Sequence, residues 1–341
     1  MRKISILVVI ALLFTACKQK FTVHSTFYFW RTQYKNQKAE TEYLNHFKSK
    51  SLYVRIMDID LNSDTQEPAP VSPITFKDSL PSKIDIVPVV YIVNNVFNNL
   101  DENQTKLLAN RTAKFVDAKV KQSGKQNYKE IQIDCDWTQT TRDKYFNFLK
   151  LLEQAPIFKG KEISVTLRLH QVKNLISNGI PPVKKVMLMC YNMGNLRKYG
   201  EQNSILDMNE MEVYLKDKLK SYPLKIDVAL PLFSWAVIFR KQQYAGISKH
   251  INKEELNNTK LFSRRKNTIL YDLLIDYPAA GLKKNDVVRW EEISTEDLLA
   301  TSSFLSRYLK PEERNLVFYH LDTDLLKTFK HENLQKVIDN F

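Results

Sequence analysis

Residues 131–138 read Ile131-Gln132-Ile133-Asp134-Cys135-Asp136-Trp137-Thr138. Successive side chains of a strand point to opposite faces. Gln132, Asp134, Asp136 and Thr138 therefore share one face, and Ile131, Ile133, Cys135 and Trp137 the other. The second face suits packing against helices. The first carries two carboxylates, which burial and mutual repulsion both penalise. Such a pair is unusual inside a sheet, and it sits at the C-terminal end of the run.

Seven further runs of apolar, β-branched and aromatic residues alternate with helical patterns. With 130–137 they are 23–31, 52–60, 84–92, 162–170, 185–191, 226–235 and 315–321. Amphipathic stretches lie between or after them at 39–50, 102–123, 141–154, 171–177, 206–220, 295–309 and 325–340. In the clearest, Leu107, Leu108, Ala113, Phe115, Val116 and Val120 recur at helical spacing. Eight strands each followed by a helix predict a single α/β domain, a (β/α)8 TIM barrel over 23–341. An open doubly wound sheet is the alternative, but no glycine-rich phosphate loop follows the first run. Residues 236–294 exceed one strand–helix unit. They are expected over the C-terminal face after strand seven, as a lid or small subdomain.

Cys135 lies on strand four and Cys190 on strand six. Two strand spacings of about 4.8 Å put them roughly 10 Å apart, beyond the about 7 Å that a disulfide spans. Two free, buried thiols are expected.

Strand five places Ser164, Thr166, Arg168 and His170 on one face, beside Asp134 and Asp136. A buried Arg168 needs one of those carboxylates as its partner, and that pairing is expected to lower the carboxylate pKa. Trp30, Tyr191, Trp235 and Tyr319 fall at or near strand ends, where aromatic faces can stack on sugar rings. Core packing is the alternative for each, and Trp137, on the outward parity, is expected in the core. Asp58 and Asp60, with Asp134 and Asp136, form the one oxygen set a divalent ion could use. No metal-ligand spacing occurs and no metal is expected. HExxH, P-loop, GxSxG and CxxC motifs are absent, and no cofactor is expected.

Ile133-Asp134-Cys135-Asp136-Trp137 resembles the strand-four signature of the family 18 glycoside hydrolases, the chitinase-like barrels, where the pattern is D-G-x-D-x-D-W-E. Met189-Cys190-Tyr191-Asn192 resembles their strand-six M-x-Y-D, and Ala229-Leu230-Pro231-Leu232-Phe233 their strand-seven G-x-P-x-Y-G. An extra subdomain after strand seven also occurs in that family. The resemblance implies a glycan ligand and hydrolysis assisted by the sugar's own N-acetyl group. It makes Asp136 the carboxylate that orients that group and Tyr191 the hydroxyl that steadies it. Three positions depart from the pattern. Thr138 stands at the family's acid glutamate, Ile131 at its first aspartate and Asn192 at the strand-six aspartate. General acid catalysis contributes typically 10²–10⁴-fold, and a threonine supplies no proton at neutral pH. Glycan binding is therefore expected, with hydrolysis only if another acid serves. Asp134, Asp136 and Tyr191 are the candidate catalytic residues. Trp30, Arg168, His170, Asn192, Trp235 and Tyr319 are the candidate binding residues. The alternative is an envelope scaffold with a vestigial barrel site, whose contacts are made by 236–294.

The N-terminus has its own pattern. Arg2 and Lys3 precede an apolar run at 4–14, and Thr15-Ala16-Cys17 follows. This order marks a secretory signal over 1–16. The run is too short for a bilayer span, which needs about 20 residues. Cysteine directly after the cut resembles the lipobox of bacterial lipoproteins, although Phe14 stands where Leu is usual. The resemblance implies a diacylglycerol on the Cys17 thiol and a third acyl chain on its amine. A short stem, 17–22, would then tie the barrel to a membrane of the cell envelope. The outer membrane is expected, with the barrel periplasmic or surface-exposed. Because the first strand enters from the N-terminal face, the site should face away from lipid.

The chain has 341 residues, of which 43% are hydrophobic, and only 7 Gly and 12 Pro. That excludes disorder and low-complexity linkers. The formal charge of +13 is scattered. It reads as a solvated surface that aids membrane contact, and no nucleic-acid partner is expected for an exported chain.

Overall fold

The computed structural model describes residues 22–341; the signal segment expected over 1–16 and Cys17 lie outside the described residues. Eight parallel strands close on themselves: β1 (Val23–Phe29), β2 (Ser51–Leu61), β3 (Asp85–Ile92), β4 (Glu130–Asp134), β5 (Glu162–Leu167), β6 (Lys185–Met189), β7 (Lys225–Pro231) and β8 (Arg314–Tyr319). Each pairs with its neighbours, and β1 pairs with both β8 and β2. The eight strands form a closed TIM barrel. Both faces of a closed parallel sheet are covered, so the strands read as continuous apolar runs. Every residue of β4 and β6 is buried.

The outer layer is built from α1 (Lys38–His46), α2 (Glu102–Gln122), α3 (Arg142–Gln154), α4 (Leu169–Lys173), α5 (Met208–Leu215), α6 (Thr295–Tyr308) and α7 (His331–Asp339), with shorter turns between. Helix α2 begins with a reciprocal cap. Asp101 accepts from the Gln104 amide at 2.8 Å, and Gln104 accepts from the Asp101 amide at 2.9 Å. Three residues past β4, Trp137 stacks on Tyr145 of α3 at 5.3 Å and donates to the Asn178 carbonyl at 2.9 Å. Cys135 and Cys190 are buried and unbonded.

Two expectations need correction. The second strand is not followed by a helix. Its outer end instead pairs antiparallel with Pro68–Val71. Pro68 and Pro70 suit an edge strand and oppose a helix there. Several strands also end earlier than their apolar runs. The 162–170 run stops at Leu167, 185–191 at Met189, and 226–235 at Pro231. The leftover residues form the barrel mouth.

The interior departs from the branched apolar filling usual in such barrels. At its floor Lys185 meets Glu130 at 2.6 Å and Asp227 at 3.5 Å. Ser164 donates to Glu130 at 2.6 Å, and Asn315 donates to Asp227 at 3.0 Å. Burial pushes the Glu130 carboxyl up, with Lys185 opposing. Above this layer the buried Tyr28 hydroxyl donates to Gln132.

After β7 the chain leaves the barrel. Strands Trp235–Arg240, Gln243–Ser248, Phe262–Arg264, Leu270–Leu273 and Val287–Glu291 form an antiparallel sheet with its own small core, including Ile238, Phe262 and Val288. A buried ion pair fastens this sheet to the loop after β6. Arg289 and Glu291 lie 2.6 Å apart with both side chains fully buried. Arg289 also donates to the carbonyls of Leu196 and Lys198, and Glu291 accepts from the Ser204 amide and hydroxyl.

Candidate functional site

The C-terminal mouth of the barrel has two halves that share Tyr191. The first half is polar. Asp136, Arg168, His170, Tyr191, Asn192 and Glu210 line a cavity of about 320 Å³ with Met193 and Tyr214. Asp134 closes β4 and is buried. It accepts from Thr166 at 2.6 Å. Asp136, two residues on, is 44% exposed and takes the Arg168 Nε–H on Oδ1 at 2.5 Å. Arg168 follows β5 and starts α4, where the Gln171 side chain accepts its backbone N–H at 2.8 Å. Its Nη2 lies 3.9 Å from Asp134, and its Nη1 is buried with no acceptor on the protein.

The electrostatics differ from the simple pairing argument. Burial pushes the Asp134 carboxyl up to about 6; Arg168 opposes this and the neighbouring Asp136 charge adds to it. Pairing with Arg168 was expected to lower the pKa of its carboxylate partner, and at Asp134 desolvation outweighs it. Burial alone would pull the Arg168 guanidinium down, but Asp136 and Asp134 more than compensate and keep it charged. His170 is lowered by desolvation, with Asp136 opposing and Arg168 adding. His170 belongs to the first turn of α4, not to strand five, and stands at the cavity rim.

Asn192 occupies left-handed backbone with φ of 55°, a region asparagine tolerates better than most residues. The turn there carries the chain from β6 toward α5. Asp207 caps α5 by accepting from the Asn209 and Glu210 amides at 2.8 and 3.2 Å. That cap brings Glu210 to the cavity wall.

The second half of the mouth is aromatic. Trp30 packs on Tyr319 at 5.4 Å, Tyr319 on Tyr191 at 5.1 Å, Tyr191 on Phe233 at 6.0 Å and Phe233 on Trp235 at 5.2 Å. Trp30, Phe233, Trp235 and Tyr319 remain partly exposed. The Trp235 indole N–H is committed to Glu291 at 2.9 Å. The Tyr191 hydroxyl points to Met189 Sδ at 2.7 Å.

Thr138 does not serve the cavity. It is exposed, and its carbonyl accepts from the Thr141 and Arg142 amides at the start of α3. Asp58 is held by the buried Arg55 at 2.6 Å, and Asp60 accepts from the Leu61 amide. Among the described residues no cluster of three His, Cys, Asp or Glu side chains forms that could hold a metal. The sequence reading missed Glu210, Tyr214 and Phe233. It also missed Tyr91, which sits in register with Asp134 at the end of β3. Burial, and then the Asp136 and Asp134 charges, push the Tyr91 phenol up to about 12. A larger cavity of about 620 Å³ lies on the flank, between 67–70 and α2. It is mainly apolar and away from the carboxylates.

No family model matches the chain, and neither does any curated protein. Solved structures do match. A chitinase from Chromobacterium violaceum ATCC 12472 superposes over 94% of this chain and 99% of its own, with a TM-score of 0.52 at 14% identity. The Bacillus cereus spore cortex-lytic enzyme SleL superposes over 94% of this chain and 75% of its own, with a TM-score of 0.52 at 13% identity. An Ostrinia furnacalis Group IV chitinase in complex with allosamidin covers 94% of this chain and 97% of its own, with a TM-score of 0.51 at 9% identity. The fold is that of the chitinase-like barrels. Within this chitinase-like barrel the strand-four carboxylates and the strand-six tyrosine meet at one mouth. The position where the resemblance expects the acid is given over to starting a helix.

Proposed function

We propose that this protein is a lipid-anchored envelope lipoprotein whose chitinase-like barrel binds a glycan. The observation that carries the binding reading is the continuity of the two halves of the mouth. An aromatic wall from Trp30 to Trp235 runs into a polar cavity through Tyr191. Sugars need both surfaces, since their rings present apolar C–H patches and polar hydroxyl edges. The neighbours' names, chitinase and cortex-lytic enzyme, are consistent with a polysaccharide containing amino sugars. Thr138 and the Arg168-bound Asp136 favour binding over hydrolysis as those relatives would perform it.

The test is a glycan panel with the intact protein and with Phe233→Ala. Binding of at least one glycan at millimolar concentration, weakened by the substitution, supports the reading. No binding to any glycan removes it. The anchor rests on the segment from Arg2 to Cys17 and has its own test, metabolic labelling with a radioactive fatty acid. A second reading, an interaction protein acting through 236–294, is favoured by Leu274 and Ile275, which are 39% and 50% exposed in the loop after the strand Leu270–Leu273. Pull-down from a membrane extract with and without Ile275→Asp separates it from the first.

A further inference from the structure

Resting on the glycan-binding reading above, we infer that the polar cavity selects sugars bearing a free amine over N-acetylated or acidic ones. The cavity is lined by two carboxylates and one guanidinium. The guanidinium is already spent, because Arg168 Nε holds Asp136 Oδ1 at 2.5 Å. Asp136 is nevertheless 44% exposed, so its second oxygen can reach a ligand. Among the described residues Glu210 has no ion pair, and its side chain accepts no hydrogen bond. His170, Tyr191 and Tyr214 are the other titratable groups in the lining, and desolvation disfavours the charged form of His170. Lys173 lies nearby on α4, but its ammonium is parked 4.3 Å from the Tyr214 ring centroid, and Lys173 is not part of the cavity lining. Asp134 beneath the cavity adds further negative charge whenever it ionises.

A ligand ammonium would meet the carboxylates of Asp136 and Glu210 in the lining, while a uronate or sialic-type carboxylate would face them with no unspent cation there. A 2-amino-2-deoxy sugar carries such an ammonium on its ring. The whole chain carries a formal charge of +13. Long-range electrostatics therefore repel a cationic oligomer, and a preference for one has to come from the cavity.

The experiment is calorimetric titration of the intact protein with three probes of equal length: a glucosamine tetramer, its N-acetylated counterpart and a galacturonate tetramer. At pH 6 the glucosamine tetramer is expected to bind at least fivefold more tightly than the N-acetylated one, and the galacturonate tetramer weakest. Raising the pH until the sugar amine is neutral should abolish the preference. Glu210→Gln should reduce the preference several-fold while leaving the thermal midpoint unchanged. Equal or tighter binding of the N-acetylated tetramer overturns the inference but keeps the glycan-binding reading. Tightest binding of galacturonate does the same. Binding of none of the three, together with a silent glycan panel, removes both.

Discussion

Arg168 donates from Nε to Asp136 at 2.5 Å and stands with Nη2 3.9 Å from Asp134. One guanidinium thus serves two carboxylates of very different exposure: the Asp134 side chain is 5% exposed and that of Asp136 44%. The arrangement explains how two carboxylates coexist at and just past the end of β4. It also makes Arg168 the residue on which the polar half of the mouth depends. Removing one member of a buried ion pair typically costs about 3–5 kcal/mol. Arg168→Met is expected at the lower end, about 3 kcal/mol, because Asp134 can escape by taking a proton. The loss should therefore be smaller at pH 5 than at pH 8. Denaturant titrations at the two pH values check this, and an equal loss at both would mean that Asp134 is not the group left unbalanced.

Asp134 itself sets a pH dependence. Its folded pKa, about 6, lies above the unfolded value of about 3.9. The folded state therefore binds more protons in that window. Stability falls as pH rises from 4 to 6, and the cost levels off above 6. By linkage the cost is of the order of 3 kcal/mol at pH 7. Glu130 is shifted in the same direction, so the slope of the parent protein is not due to Asp134 alone. The readout is the difference between parent and Asp134→Asn. The loss of stability from pH 4.5 to 7.5 should shrink by about 2 kcal/mol in the variant. An unchanged slope would assign the pH dependence elsewhere.

The eight strands were legible because a closed parallel sheet demands apolar residues on both faces, and that leaves eight strong runs in order. Their ends were not legible. Arg168 and His170 continue the alternation of strand five, yet the ladder stops at Leu167 and His170 turns into α4. Parity alone does not report where backbone pairing ends. Asp134, Asp136, Arg168 and Tyr191 were found because carboxylates, a guanidinium and a phenol at strand ends are costly unless they meet. Glu210 was not, since an acid in the first turn of a helix is what the helix dipole favours anyway. Glu130 and Lys185 look like solvent-facing strand starts in sequence, and only closure of the sheet turns them into a buried floor.

The aromatic wall gives a prediction for ligand contact. Trp30 and Tyr319 are partly exposed and packed at 5.4 Å. Aromatic contacts are worth about 0.5–1.5 kcal/mol beyond area burial. Trp30→Ala should weaken glycan binding roughly two- to tenfold. Trp137→Ala should instead destabilise the fold by about 3–5 kcal/mol without a specific binding defect, because that ring is fully buried against Tyr145. Affinity and unfolding measured on both variants should separate them. A binding defect confined to Trp137→Ala would contradict the placement of the ligand on the mouth.

Glu291 is fully buried and accepts from Arg289 at 2.6 Å, the Ser204 hydroxyl at 2.6 Å and the Trp235 indole at 2.9 Å. It ties the sheet, the loop after β6 and one end of the aromatic wall together. Glu291→Ala leaves Arg289 as a buried charge without its carboxylate, for an expected loss of about 3–5 kcal/mol. Because the inserted sheet has a core separate from that of the barrel, the loss should appear first as local opening. Protease sites within 236–294 and in the 192–207 loop should become accessible while the barrel helices stay protected. Replacing the pair together, Arg289→Met with Glu291→Leu, should recover part of the stability but not the restraint on Trp235 and Ser204. If Glu291→Ala instead unfolds the whole chain in one step, the insertion and the barrel are a single cooperative unit, and Glu291 is part of what holds the barrel itself closed.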